Sequence, residues 1–171
     1  MNFFNYLLKA KGRHGTHSPY IYKFVEDALH EKAPARNYPE DVQGSKVRTL
    51  FRVLSYVSET QKIIVSPAVM QSYGWLQYFA PDIKSLDQLT TKQQAIFVLS
   101  LEEMEEQKEV FTSNEINSGS LLLVLHPGNP HYALLENYFQ QECFNATIFT
   151  WDFSLLMNRP DFKRKQHFIL R

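Results

Sequence analysis

The sequence predicts one α/β domain whose mostly parallel sheet is covered by helices on both faces. Two observations predict it: short, continuous apolar runs alternate with amphipathic stretches, and no linker or repeat interrupts them. Continuous apolar runs are typical of parallel strands that are buried on both faces. A chain of 171 residues suits one domain rather than two. We therefore divide residues 1–171 into a helical N-terminal extension, 1–58, and an α/β core, 62–171.

The N-terminal extension contains three predicted helices. Residues 2–10 form a short amphipathic stretch. Ser18 and Pro19 then provide an N-cap followed by proline at the first helical position, a pattern that begins helices. Gly44 and Ser45 open a third helix, in which apolar residues recur on one face.

The core alternates predicted strands and helices. Helices are predicted over 72–80, after Ser100, where Glu103 completes a capping box, and from Asn129. The last two strands follow each other with no strong helix between them, so we expect them to form an antiparallel pair. The predicted strands are 62–66, 83–89, 95–100, 121–125, 147–153 and 167–170.

The charge and composition exclude several classes of protein. The formal net charge is zero, so no global field attracts the chain to nucleic acid or to a membrane surface. Cys143 is the only cysteine, which excludes an intrachain disulfide and a cysteine-rich zinc site. We find no signal peptide and no apolar run long enough to span a membrane, so we expect a cytoplasmic location.

The expected ligand site lies beyond the carboxyl ends of the central strands. The first predicted strand ends at Ser66, and the loop that follows contains a single glycine, Gly74. A dinucleotide or adenosyl cofactor needs several glycines there, because the backbone must turn tightly and approach the ligand. Asp87 follows Val65 by 22 residues, near the offset of about 20 at which an acidic residue binds ribose. An exposed carboxylate at a strand end explains Asp87 equally well.

Two histidines, His126 and His131, follow the most apolar strand of the chain. A histidine at a strand's carboxyl end suits acid–base chemistry, but this loop contains no carboxylate to orient either ring. We favour a proline- and glycine-rich turn with solvated or capping histidines. No catalytic residue is assigned.

Three stretches of the chain resemble a known family. Residues 11–22, KGRHGTHSPYIY, look like the opening of a class I S-adenosylmethionine-dependent methyltransferase-like family found in Bacteroidetes. Residues 165–171, KQHFILR, are similar to the usual ending of that family, and residues 50–54, LFRVL, resemble one of its helices. The resemblance implies a Rossmann-like, seven-stranded methyltransferase sheet in which the last two strands form an antiparallel hairpin.

The chain departs from that family where the cofactor would bind. Family members carry an acidic-Leu-Gly-x-x-x-Gly loop after the first strand, whereas this chain has Val65 near the acidic position and retains only Gly74. Their Asp-Gly-Asn-His-like run is also missing. Too few residues separate Leu89 from Ala95 for a helix and another strand, so we expect one βα unit to be deleted. The resemblance leaves Ser66, Gly74 and Asp87 as cofactor contacts.

These departures favour a degenerate protein that acts as a binding or interaction module without S-adenosylmethionine. One alternative is an active methyltransferase that holds S-adenosylmethionine with an atypical loop. A second is nucleic-acid or anion binding through a basic arm that includes Lys9, Lys11 and Arg13, which the zero net charge disfavours. As partners we expect a second copy of the chain or another protein rather than nucleic acid, and we expect no association with a membrane.

The N-terminal histidines complete the set of candidate contacts. His14 and His17 stand three residues apart, a spacing that suits a metal only in a helix, and Gly15 and Pro19 favour a turn. We therefore expect no metal and interpret the two side chains as hydrogen-bonding groups that pin the arm to the sheet. The expected ligand or partner contacts are Arg13, His14, His17, His126 and His131.

Overall fold

A computed structural model describes residues 3–10, 18–30, 37–58, 61–79, 94–109, 118–126 and 132–171. Within these residues six strands form one mixed sheet of order β1-β2-β3-β5-β4-β6. β1, β2 and β3 are mutually parallel, β5 is antiparallel to both of its neighbours, and β4 and β6 are parallel. The strands are β1 Lys62–Val65, β2 Ala95–Ser100, β3 Leu121–Leu125, β4 Ala146–Phe149, β5 Phe153–Met157 and β6 Gln166–Ile169.

Helices cover both faces of this sheet, which confirms the predicted α/β class with its mostly parallel strands. The helices are α1 Phe3–Lys9, α2 Pro19–Phe24, α3 Ser45–Val57, α4 Pro67–Ser72, α5 Leu101–Glu106 and α6 Tyr132–Phe139. α2 continues as a π-helical turn, Val25–Leu29, and a 3₁₀ helix, Gly74–Tyr78, follows α4. The predicted N-cap at Ser18, the capping box of Ser100 and Glu103, and the helix start after Gly44 are confirmed.

The N-terminal helices supply core residues on opposite faces of the sheet. α1 packs with α5 and α6 on one face, where Tyr6 is buried and its hydroxyl donates to the carbonyl of Leu170. α2 and α3 pack on the other face. There the buried guanidinium of Arg52 donates to the carbonyls of Ala28 and Leu29, each at 3.0 Å. These bonds satisfy carbonyls that the ending helix leaves unpaired.

The expected antiparallel pair of 147–153 with 167–170 is wrong. The chain reverses after β4, so that β5 forms the hairpin with β4, and β6 returns parallel to β4. Thr150 closes the two-residue turn: its Oγ1 donates to the carbonyl of Phe153 at 2.7 Å and accepts from the Phe153 amide at 3.1 Å. The predicted strand 147–153 therefore includes the residues of this turn, and β5 is not predicted.

The helix predicted over 72–80 begins earlier than expected. Ser66 is the N-cap of α4 and accepts a hydrogen bond from the Val69 amide at 3.4 Å, with Pro67 at the first helical position. The segment read as an open loop is therefore helical from its first residues. The predicted strand 83–89 and the expected deletion beside it lie outside the described residues.

Candidate functional site

The carboxyl ends of β1 and β2 are tied together by one side chain. Ser66, buried at the end of β1, donates from Oγ to Oε2 of Glu103 at 2.6 Å. The same Oε2 accepts the backbone amide of Ser100 at 2.9 Å, directly after β2. The Ser66 amide bonds to the Val98 carbonyl at 3.0 Å, which extends the ladder by one residue. We call Ser66, Ser100 and Glu103 the carboxyl-edge bridge.

The segment after Ser66 directs its apolar side chains into the core. Val69 and Met70 of α4 are buried, as are Trp75 and Leu76 of the 3₁₀ helix. The Trp75 ring lies 5.9 Å from that of Phe51 on α3, measured between centroids. Apolar burial is the dominant favourable term in folding, so these four side chains anchor the segment 66–79 to the core.

Gly74, the second candidate cofactor contact, is exposed at the start of the 3₁₀ helix. A β-carbon added to it would meet no atom within 4 Å, and its φ does not require glycine. Within the described protein, neither the space around this position nor its backbone conformation therefore requires a glycine. The third candidate, Asp87, lies outside the described residues.

His126 is the one candidate histidine within the described residues. It is buried at the end of β3, with Nε2 2.9 Å from Ser154 Oγ and its ring stacked on Phe149 at 5.4 Å. Its amide donates to the Asp152 carbonyl at 3.0 Å. This packing joins β3 to the hairpin, so the expectation of a solvated or capping ring is wrong for His126. Arg13, His14, His17 and His131 lie outside the described residues, so their roles remain predictions.

A cavity of about 740 Å³ lies at the opposite side of the sheet, along β6. All four residues of β6 line it, together with Lys9 from the end of α1 and 18–20 at the start of α2. The structure thus brings residues from the two terminal family-like stretches to one cavity. Sequence reasoning missed this site, although the two specific stretches at opposite ends of the chain were a signal for it.

An aromatic and charged cluster forms one wall of this cavity. The guanidinium of Arg159 lies 3.8 Å from the centroid of the Tyr20 ring, and its Nε and Nη2 each donate to Asp161 at 2.9 Å. The hydrogen bonds from Arg159 hold the pKa of Asp161 below its ordinary value. The carboxylate that faces the cavity is therefore already paired with a cation.

His167 of β6 reaches from the cavity toward α6. Its Nδ1 lies 2.7 Å from Thr147 Oγ1, its Nε2 lies 3.1 Å from the Tyr132 hydroxyl, and its ring packs 4.4 Å from that of Phe139. Although the residue as a whole is exposed, partial burial of the ring lowers the pKa of His167 to about 4. The imidazole is therefore neutral at physiological pH.

Two smaller cavities lie elsewhere. One, of about 230 Å³, lies between α1, the start of α3 and the β4–β5 turn, and is crossed by the Lys46–Asp152 ion pair at 2.8 Å. The other, of about 190 Å³, lies at the amino edge between Tyr56 and Arg159. Neither includes a residue of 66–79 among its described lining residues.

Metal and membrane features were sought within the described part of the chain. No three His, Cys, Asp or Glu side chains there are grouped closely enough to hold a metal ion. None of the helices described is both long and apolar enough to cross a bilayer. No family model matches this chain, and comparisons with curated proteins and with solved structures found no similar protein.

Proposed function

We propose that this chain is a methyltransferase-like protein whose cofactor crevice is closed, and that it acts as a binding module without S-adenosylmethionine-dependent activity. The single observation that carries the proposal is the carboxyl-edge bridge, in which one Glu103 oxygen bonds both Ser66 and Ser100. The bridge occupies the position where the fold class predicts a ligand.

The sheet supports a methyltransferase-like, Rossmann-like origin. The resemblance implies a mostly parallel sheet whose last two strands form an antiparallel hairpin. Here three parallel strands are followed by the β4–β5 hairpin, whose second strand is inserted between β3 and β4. β6 adds one more parallel strand after the hairpin.

Two of the backbone amides that follow β1 already bond to Ser66. A cofactor bound there would be recognised by backbone N–H groups in a tight, glycine-rich turn. Pro67 has no amide hydrogen. The amides of Val69 and Met70 bond to the side-chain and backbone oxygens of Ser66, at 3.4 and 2.9 Å. An adenosyl group recognised by these two amides would therefore have to displace their bonds to Ser66.

Calorimetric titration with S-adenosylmethionine tests the proposal. We expect no saturable heat at physiological cofactor concentrations, with S-adenosylhomocysteine giving the same result. Circular dichroism of the same sample confirms that the protein is folded. A dissociation constant in the low micromolar range for either molecule would overturn the proposal.

A further inference from the structure

We infer that the open edge of β6 binds an extended, acidic peptide segment of a partner protein, which joins the sheet as an additional strand. The inference rests on the proposed binding function and names the class of partner. Strand addition of this kind derives its affinity from main-chain hydrogen bonds and its specificity from alternate side chains.

The backbone of β6 presents such an edge. β6 is the last strand of the sheet, and among the described residues it pairs with β4 alone. The Gln166 amide donates to the carbonyl of Asn145, the residue before β4, at 2.9 Å. The Leu170 amide donates to the carbonyl of Phe149, the last residue of β4, also at 2.9 Å. Alternate residues of a strand direct their N–H and C=O groups to opposite sides, so those of His167 and Ile169 face away from β4.

The cavity provides room along this edge. It follows the full length of β6, which at about 3.3 Å per residue is roughly 13 Å. Tyr20, Phe162 and Phe168 provide an apolar wall, and Lys9 lies at the other side. An added strand would therefore place alternate side chains against an aromatic surface and near a cation.

Charge favours an acidic segment. Lys9 is exposed at the rim, and Lys163 and Arg164 are exposed in the turn that leads into β6. The acidic residue among the described lining residues, Asp161, is neutralised by Arg159. A second copy of the chain, paired edge to edge, would bring these cations together, and like charges facing each other across strands are destabilising.

The test uses fluorescein-labelled nine-residue peptides in which Val alternates with Glu, titrated with the full chain and followed by fluorescence anisotropy. We expect saturable binding that weakens with salt, and at least tenfold weaker binding of the matched Val–Lys peptides. Ile169→Pro removes an outward-facing amide, and Ile169→Ala removes the same side chain but keeps that amide. We expect Ile169→Pro to bind at least tenfold more weakly than Ile169→Ala.

Amide hydrogen exchange of the unmodified chain provides the second readout, because it does not depend on the proline variant folding. We expect the acidic peptide to slow exchange at His167 and Ile169. Absence of peptide binding, binding without that protection, or equal binding by both folded Ile169 variants would overturn the inference. So would a dimer in sedimentation experiments that the acidic peptide fails to dissociate.

A parallel titration with S-adenosylmethionine separates the two proposals. Cofactor binding in the low micromolar range would contradict the proposed function. Failure of the peptide alone, with no cofactor bound, would contradict only the assignment of the β6 edge.

Discussion

Two regions of the sheet that a ligand could use differ in how their polar groups are satisfied. At the carboxyl ends of β1 and β2, a serine hydroxyl and a backbone amide both bond to the Glu103 carboxylate, and the apolar side chains of the segment that follows β1 are buried. Along β6, alternate backbone groups face a cavity of about 740 Å³. In the first region the polar groups named here bond to one another, whereas among the described residues β6 pairs with β4 alone.

The same dipeptide stands at both regions with different consequences. Ser18–Pro19 begins α2 at the rim of the open cavity, and Ser66–Pro67 begins α4 at the closed edge. Ser66 is buried and also bonds to Glu103, whereas Ser18 is half-buried and accepts a long, 3.5 Å bond from the Ile21 amide. Local sequence sets the helix start, and tertiary contacts decide whether the capping serine is buried.

The largest expected effect comes from removing the bridging carboxylate. Glu103→Ala leaves the Ser66 hydroxyl and the Ser100 amide without their acceptor. We expect the free energy of unfolding to fall by about 2 kcal/mol, because two charge-assisted bonds at a half-buried position are lost. Urea denaturation measures the change.

Glu106 on the same helix provides the matched control, because it is exposed in the last turn of α5. We expect Glu106→Ala to change the free energy of unfolding by no more than about 0.5 kcal/mol. Equal effects of the two substitutions would show that the bridge does not hold the carboxyl edge closed.

A smaller effect is expected from the serine caps themselves. Ser66→Ala removes an N-cap and a buried hydrogen bond, and we expect a loss of about 1–2 kcal/mol. Ser18→Ala removes a weaker cap at the open region, with an expected loss of about 0.5 kcal/mol. The same denaturation series measures both. A larger loss of unfolding free energy for Ser18→Ala than for Ser66→Ala would contradict the difference that we describe between the two regions.

The smallest effect concerns the pH dependence of the β6 region. His167 has a pKa lowered to about 4 from the ordinary 6.5, because burial disfavours its charged form. Between those values the unfolded chain binds a proton that the folded chain does not. Stability therefore falls as the pH falls through this window. Because His167 is partly exposed, we expect the loss to be below about 1 kcal/mol.

His167→Gln removes the titrating group at that position. We expect the variant to show a flatter stability profile between pH 4 and about 6.5 when urea denaturation is repeated across the range. An unchanged slope would show that the folded and unfolded chains bind this proton equally.

The central strands could be predicted from sequence because burial on both faces produces continuous apolar runs. β2 and β3 have the predicted bounds, and β1 ends one residue earlier than predicted. The β4–β5 turn could not be predicted because its two residues, Trp151 and Asp152, are neither glycine nor proline. The turn depends instead on hydrogen bonds of the Thr150 hydroxyl.

The sites were harder to predict than the strands. We predict a loop at Ser66–Pro67 but a helix start at the identical dipeptide Ser18–Pro19, because a ligand loop is typical of the first place in this fold class. The closing contact joins Ser66 to Glu103, and the cavity joins Lys9 to β6. Contacts between residues so distant in the chain leave no periodic pattern in the sequence.

Backbone amide chemical shifts of one isotopically labelled sample compare the two regions most directly. Titration with S-adenosylmethionine, followed by the alternating Val–Glu peptide, reports on both edges by NMR. We expect the cofactor to leave the amides of Ser66, Val69 and Ser100 unchanged, and the peptide to shift those of His167 and Ile169. Saturable shifts at Ser66 and Ser100 on adding the cofactor, with a dissociation constant in the low micromolar range, would contradict closure of the carboxyl edge.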